Sequence, residues 1–548
     1  MKKTILLCSA FLLSITSALA CTSFLVGKKA SADGSVFITY SMDSYGAFAR
    51  LEHFPAMKHA PGTMRHIVDG DSNRPLGYIP EAPQTYAVMG NINEFQLSIM
   101  ETTFGGREEL VDTLGGIDYV SLMTLGLQRA KNAREAIKVM TDLVAEHGYY
   151  SSGESFSIAD PNEIWILEMI GKGVGEKGAV WVAVRIPDDC IASHANHSRI
   201  HTFDLTDKEN VIASSDVISF ARKKGYFTGN DKDFSFSKAY APADFGAIRY
   251  CDARVWSFYN RWVEGMEQYL EYAKGYDIAN QKPMPLYFKP KQKLSLKDVM
   301  NSMRDHYEGT YFDTQNDCSA GPGNAPYRPS PLSWKHEGKT YFNERPISTQ
   351  QAAATMIAQL RANMPDEIGG ILWWGNDESN MISYSPVYCS ATKSPLCFND
   401  PTASDVKFSW NSAFWVCNWV ANMTYPRYEH LFPDVLKVRE QVENANLAMQ
   451  PAIEAQAQTI LKTQGQEAVR EYLTQVSAER AELMMQQWRN LGQYLIVKHN
   501  DMVVKKEENG QFKMTPYGIA DAPQRPGFND AYRATIVRET GDKYKLPE

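Results

Sequence analysis

CTSFLVGKKASADGSVFITYSMDS, residues 21–44, contains two short apolar runs separated by a turn. Thr22 to Val26 and Ser35 to Tyr40 are dense in β-branched and aromatic residues, and Asp33-Gly34 between them is a hairpin signal. The stretch therefore predicts two antiparallel strands with a cysteine at the head of the first. What precedes it sets the context. Lys2 and Lys3 form a basic head, an apolar run follows from Ile5 to about Ile15, and Ala18-Leu19-Ala20 supplies the small-x-small pattern of a cleaved export signal. The run is too short to span a bilayer. Residues 1–20 are thus expected to be removed, leaving Cys21 first. A lipid-anchored binding protein is the competing reading, since acylated cysteines also follow such signals. Against it, Ala18 stands where the lipoprotein signal has Leu, and Thr22-Ser23-Phe24 enters a strand at once instead of a polar tether.

A cysteine at position one carries two useful groups. The thiol is a nucleophile once deprotonated, and the α-amine, with a reference pKa near 8, is poised as general base. A strand directly behind it would hold both at a sheet end.

Further along, Phe95–Thr103 reads as a strand, and Tyr119–His147 has helical spacing that Gly148 would end. Strands follow at Ser155–Ala159, Glu163–Met169, Val180–Ile186 and Ile191–Ala195. Ser348–Arg361 reads as a helix, Gly369–Gly375 as a buried strand, and Glu429–Val497 as two or three helices. Residues 225–345, rich in aromatics, Pro and Gly, yield no assignment. Strands, then helices, then strands indicate an α+β fold of stacked antiparallel sheets covered by helices. The organisation is residues 1–20 as signal peptide, 21–425 as catalytic domain, and 426–548 as a helical C-terminal region packed on it. A formal net charge of −8 points to no nucleic-acid partner, and no later segment is long and apolar enough for membrane insertion.

Beyond Cys21 the exported chain holds Cys190, Cys251, Cys318, Cys389, Cys397 and Cys417. Three disulfides would leave Cys21 as the odd thiol; most of the other six being buried and reduced fits equally well. His194, His197 and His201 would share one face of a helix, but their surroundings read as strand and loop. No Cys or carboxylate cluster completes a coordination shell, so no metal is expected.

Residues 21–44 resemble the opening of the PepD-type dipeptidases, cysteine members of the N-terminal-nucleophile (Ntn) hydrolases. NINEFQLSIMETTFGGREEL, GYYSSGESFSIADPNEIWILEMIGKG, HYEGTYFD and IGGILWWGNDESNMISYSPVYC are similar too, and the resemblance runs from Cys21 to roughly Gln450. Penicillin V acylases and bile salt hydrolases are more distant relatives. The resemblance implies a four-layer αββα sandwich with an added helical C-terminal region, and no cofactor. It implies that Cys21 is the nucleophile and that Asp43 orients its α-amine. It also implies that Asn196 helps bind the oxyanion and that Arg254 stabilises negative charge near Cys21. Without it, Asp43 is a turn residue, Asn196 a loop residue, and Arg254 a salt-bridge or stacking residue. A backbone N–H near Thr102–Thr103 is expected to complete the oxyanion site, because Thr103 stands where some acylases have Asn. Asn93 belongs to the signature but is readable as a turn former.

The sequence departs from many relatives at Tyr40, where they have Arg three residues before the Asp. Fewer fixed cations then lie near Cys21, so recognition is expected to lean on the substrate's free α-amine, with a carboxylate facing the pocket. The reading is an exported, periplasmic or secreted, dipeptidase acting on small peptides, with homo-oligomerisation left open. The alternative within the same chemistry is an N-acyl amide hydrolase of the bile-salt or penicillin V type.

Overall fold

The computed structural model describes residues 21–547; the expected signal peptide lies outside them. The hairpin at the start of these residues forms as expected. β1 (Ser23–Val26) runs antiparallel to β2 (Val36–Asp43), Leu25 opposite Ile38. Gly34 sits at φ +82°, a conformation that costs an L side chain and leaves glycine unstrained, and Asp33 caps the turn by accepting from the Ser35 N–H at 3.0 Å.

Thirteen more strands build two antiparallel sheets with this hairpin. They are β3 (His53–Phe54), β4 (Val88–Met89), β5 (Ile92–Asn93), β6 (Ser98–Gly105), β7 (Gly153–Ala159), β8 (Ile164–Gly171), β9 (Ala179–Ile186), β10 (Ile191–His194), β11 (Val211–Ala213), β12 (Tyr287–Phe288), β13 (Ala352–Leu360), β14 (Ile371–Asn376) and β15 (Ser385–Tyr388). One sheet has the order β12-β10-β1-β2-β13-β14-β15, the other β11-β9-β8-β7-β6-β5-β4-β3. His194 of the first sheet reaches into the second, its Nδ1 2.7 Å from Thr102 Oγ1 and its Nε2 2.7 Å from Ser157 Oγ.

Helices pack on both sheets. The stretch 119–147 is two helices, α1 (Tyr119–Arg129) and α2 (Ala133–His147), because Asn132 accepts from the Glu135 N–H and starts a new helix. Leu122, Leu125, Ile137 and Met140 pack on Ile99, Phe156, Ile158 and Leu167 of the second sheet. On the first sheet, Phe24 of β1 stacks on Phe258 of α3 (Ala253–Trp262) with centroids 4.0 Å apart. Beyond α4 (Ala413–Thr424), the Ala/Glu/Gln-rich tail folds as two long helices, α5 (Tyr428–Gln464) and α6 (Gln466–His499), joined at Gly465. Ser477 of α6 accepts from the Tyr388 N–H of β15 at 3.2 Å. After His499 the chain forms one exposed hairpin, Glu507–Glu508 with Gln511–Phe512, and one further α-helix, Asp530–Thr540, with irregular segments between them.

Residues 348–361 correct the expected helix. Ala352–Leu360 is a strand, central in its sheet between β2 and β14, with all nine residues buried. Ala, Met and Gln favour helices locally, but a strand covered on both faces carries no alternation, and burial overrides propensity.

Candidate active site

Cys21 lies one residue ahead of β1, separated from it by Thr22, and the chain here is held on either side: Ser23 lies opposite His194, and Thr22 bridges to Ser41. The thiol is fully buried, its Sγ 3.8 Å from Tyr40 Oη and 3.7 Å from Glu101 Oε1. Burial pushes the Cys21 thiol well above its ordinary value, and the charges of Glu101 and Asp43 push it further. The Asp43 main-chain N–H and the Tyr40 hydroxyl oppose them. A thiol in this setting needs a base at hand to become a nucleophile.

Arg254 organises the surroundings. It sits at the start of α3, just after a π-helical turn, Ala247–Asp252, and is completely buried. All five of its N–H donors are used. Nε donates to Tyr250 O (2.7 Å), Nη1 to Cys21 O (2.6 Å) and Thr22 Oγ1 (2.7 Å), and Nη2 to Ala195 O (3.0 Å) and Asn196 Oδ1 (2.8 Å). One guanidinium thus ties the main chain at Cys21 to the Asn196 side chain. Burial and the nearby Arg345 lower its pKa to about 10, which leaves it charged at neutral pH. Asn196 follows β10 with φ +63°, a left-handed conformation that Asn tolerates better than most residues. Because Asn196 Oδ1 accepts from Arg254, the amide nitrogen is turned towards Thr103, whose carbonyl accepts from Nδ2 at 2.8 Å.

Asp43 closes β2. Its buried carboxylate accepts from Arg345 Nη2 at 2.7 Å. Burial raises its pKa to about 7 against the opposing pull of Arg345 and Arg254, so its charge is weakly held without a further cation. Cys21, Asp43, Asn196 and Arg254, spread over more than two hundred residues of chain, therefore form one connected group.

Sequence reasoning singles out Thr103 in METTF but passes over Glu101, two residues earlier, whose signal is a lone acid inside an apolar strand. The Tyr40 hydroxyl donates to Glu101 Oε1 at 2.5 Å and stands beside the thiol. Arg345 falls in the stretch without any sequence assignment, and nothing local marks it. Asn93 holds a turn, its Oδ1 accepting from the Phe95 and Leu97 N–H groups at 3.0 and 3.1 Å, and ties it to the end of α1, its Nδ2 donating to Leu127 O and Ala130 O, each at 2.8 Å.

The three histidines are separated. His194 lies between the sheets, held well below its usual range, at about 3, by burial and then Arg199; His197 pairs with Asp252 at 3.1 Å; His201 neighbours Ser235. All seven cysteines from Cys21 onward are free thiols. No helix among the described residues is long and apolar enough to cross a membrane. A surface cleft of about 1030 Å³ beside Asp188, His201 and Pro283 is lined by none of the four site residues.

A "Probable dipeptidase" of Salmonella dublin is 27% identical over 400 residues, covering 69% of this chain and 82% of its own. "Dipeptidase A" of Lactobacillus helveticus is 27% identical over 431 residues, covering 74% and 82%. A "Probable dipeptidase A" of Streptococcus pyogenes serotype M3 is 27% identical over 461 residues, covering 80% and 90%. The profile of peptidase family C69 matches residues 20–441. That match takes in both sheets and every site residue described above, and the chain belongs to peptidase family C69, whose members are hydrolases of peptide bonds.

Proposed function

We propose that the chain is an exported dipeptidase of the Ntn type, with a four-layer αββα core, in which Cys21 becomes the N-terminal residue. The observation that carries this reading is the Arg254 fork, which joins the Cys21 main chain to Asn196. An oxyanion-binding amide is thereby held in register with the nucleophile.

After removal of residues 1–20, the Cys21 α-amine takes the thiol proton. Asp43, buried beside Cys21 and only partly neutralised by Arg345, is the acceptor that orients this amine and stabilises its protonated form. The thiolate attacks the scissile carbonyl. Asn196 Nδ2, with a backbone N–H near Thr102–Thr103, receives the oxyanion. The ammonium then returns its proton to the leaving amine, and water hydrolyses the thioester. Arg254 does not need to touch substrate; its charge opposes the repulsion that Glu101 and Asp43 impose on the thiolate.

The dipeptidase names of three relatives, each covered over 82% or more of its own length, favour dipeptides over N-acyl amides. The test has two parts. Mass analysis of the processed protein should find a free Cys21 at the N-terminus, and a panel of dipeptides and N-acyl amino acids should favour the dipeptides. An acylated Cys21, or preference for the acyl substrates, would overturn the reading.

A further inference from the structure

Glu101 of β6 and Glu154 of β7 are two fully buried carboxyl groups on one sheet face. Glu101 Oε1 accepts from Tyr40 at 2.5 Å and lies 3.7 Å from Cys21 Sγ; Glu154 Oε1 accepts from Thr103 Oγ1 at 2.8 Å. The two carboxyl groups lie within hydrogen-bond reach of each other, so one proton can bridge them, and apart from that the Oε2 atom of each meets no donor among the described residues. No Lys, Arg or His is paired with either carboxyl among the described residues. Burial and mutual repulsion raise the pKa of Glu154 strongly, and burial raises that of Glu101. Two such carboxylates cannot both ionise without a cation. The acidic run continues outward: Tyr119 donates to Asp71 at 3.0 Å, and Asp71 is exposed. Acidic groups therefore extend from solvent to the thiol.

We infer that Glu101, backed by Glu154, is the subsite for the free α-ammonium of the peptide whose carbonyl Cys21 attacks; this rests on the proposed Cys21 chemistry. The geometry fits. The α-nitrogen and the scissile carbonyl carbon share one Cα, which puts them about 2.5 Å apart. The carbonyl carbon stands about 3–3.5 Å from the attacking sulfur. A charge-assisted hydrogen bond adds about 2.8 Å. The carboxylate that reads the amine must therefore lie within about 9 Å of Sγ, and Glu101 does. An ammonium brings three donors and a positive charge, which lets Glu101 ionise fully beside a Glu154 that keeps its proton. An N-acylated substrate has no such charge.

The experiment compares processed wild type with Glu101→Gln, using alanyl-alanine and propionyl-alanine, its analogue without the amine. Wild type should favour the dipeptide in kcat/KM by roughly 10- to 150-fold, the range expected for a charge-assisted hydrogen bond. In Glu101→Gln that ratio should fall to within a few-fold of one, mainly by loss on the dipeptide. Equal loss on both substrates, with the ratio preserved, would overturn the subsite and make Glu101 a partner of Cys21 itself. A second measurement needs no variant. Propylammonium should compete with propionyl-alanine in wild type, and absence of competition would refute the inference. Acylation by an activated propionyl ester, lost in Cys21→Ala, reads the nucleophile separately, so failure of the subsite and failure of the Cys21 chemistry give different results.

Discussion

Arg254→Lys separates charge from geometry. The wild-type side chain meets five acceptors with five donors while fully buried. A lysine ammonium has three donors on one nitrogen, so at least two of those acceptors lose their partner. At about 1–3 kcal/mol for each buried unpaired group, the loss is about 2–6 kcal/mol. Unfolding entropy of about 2.1 cal/mol/K per residue makes the melting temperature a blunt gauge for 548 residues: such a loss lowers Tm by only about 2–5 °C. Turnover is the sharper readout, because Asn196 Oδ1 is among the acceptors at risk. Loss of one oxyanion donor costs on the order of 10²- to 10³-fold in kcat. Arg254→Lys should therefore lower kcat/KM on a dipeptide by about that factor, as should Asn196→Ala. The double variant should be within a few-fold of Asn196→Ala alone, because both changes disable one unit. Wild-type turnover in Arg254→Lys, or losses that multiply in the double variant, would refute the argument that Arg254 acts by positioning Asn196.

Other expectations follow from the same contacts. Cys21→Ala should abolish turnover while the protein stays folded, measured by dipeptide hydrolysis and thermal melting; an uncleavable Ala20-Cys21 junction should do the same, since an amide nitrogen is no base. Arg345→Ala removes the first cation that opposes burial at Asp43, so the Asp43 pKa should rise above about 7 and the acidic limb of the dipeptide kcat/KM profile should move to higher pH; an unmoved limb would show that Asp43 does not serve the reaction as an anion. Glu443 of α5 is buried and accepts from Lys297 (2.8 Å), Arg304 and the Tyr384 N–H (3.1 Å); burial alone would raise its pKa, but Arg304 and then Lys297 outweigh it and hold it at about 2. A folded pKa below the unfolded one gives stability that is complete above the unfolded value, near 4.5, and lost as pH falls towards about 2. Melting temperature should fall across that window in wild type and less steeply in Glu443→Gln. Tyr40→Phe removes the hydroxyl that favours the Glu101 carboxylate. It should therefore shift the acidic limb of the dipeptide kcat/KM profile to higher pH.

Local chemistry was legible in the sequence. The Asp33-Gly34 turn between two β-rich runs announced the first hairpin. The 3.6-residue rhythm of the tail marked what became Tyr428–Gln464 and Gln466–His499. Long motifs pointed to the dipeptidase-like family before any fold was in view. These signals lie within a few residues of what they report, where turn geometry and helical periodicity act. Tertiary structure decided the rest. Ala352–Leu360 has the composition of a helix and becomes a strand because sheet neighbours on both sides and cover on both faces leave no position for the alternation that would identify it. Arg345 meets Asp43 across 302 residues, Arg254 meets Cys21 across 233, and Glu101 meets the thiol across 80. The weight of a charge depends on what surrounds it after burial. Glu101 in a flexible chain is an ordinary surface acid; sealed beside Glu154, it is half of a carboxyl pair whose ionisation burial opposes.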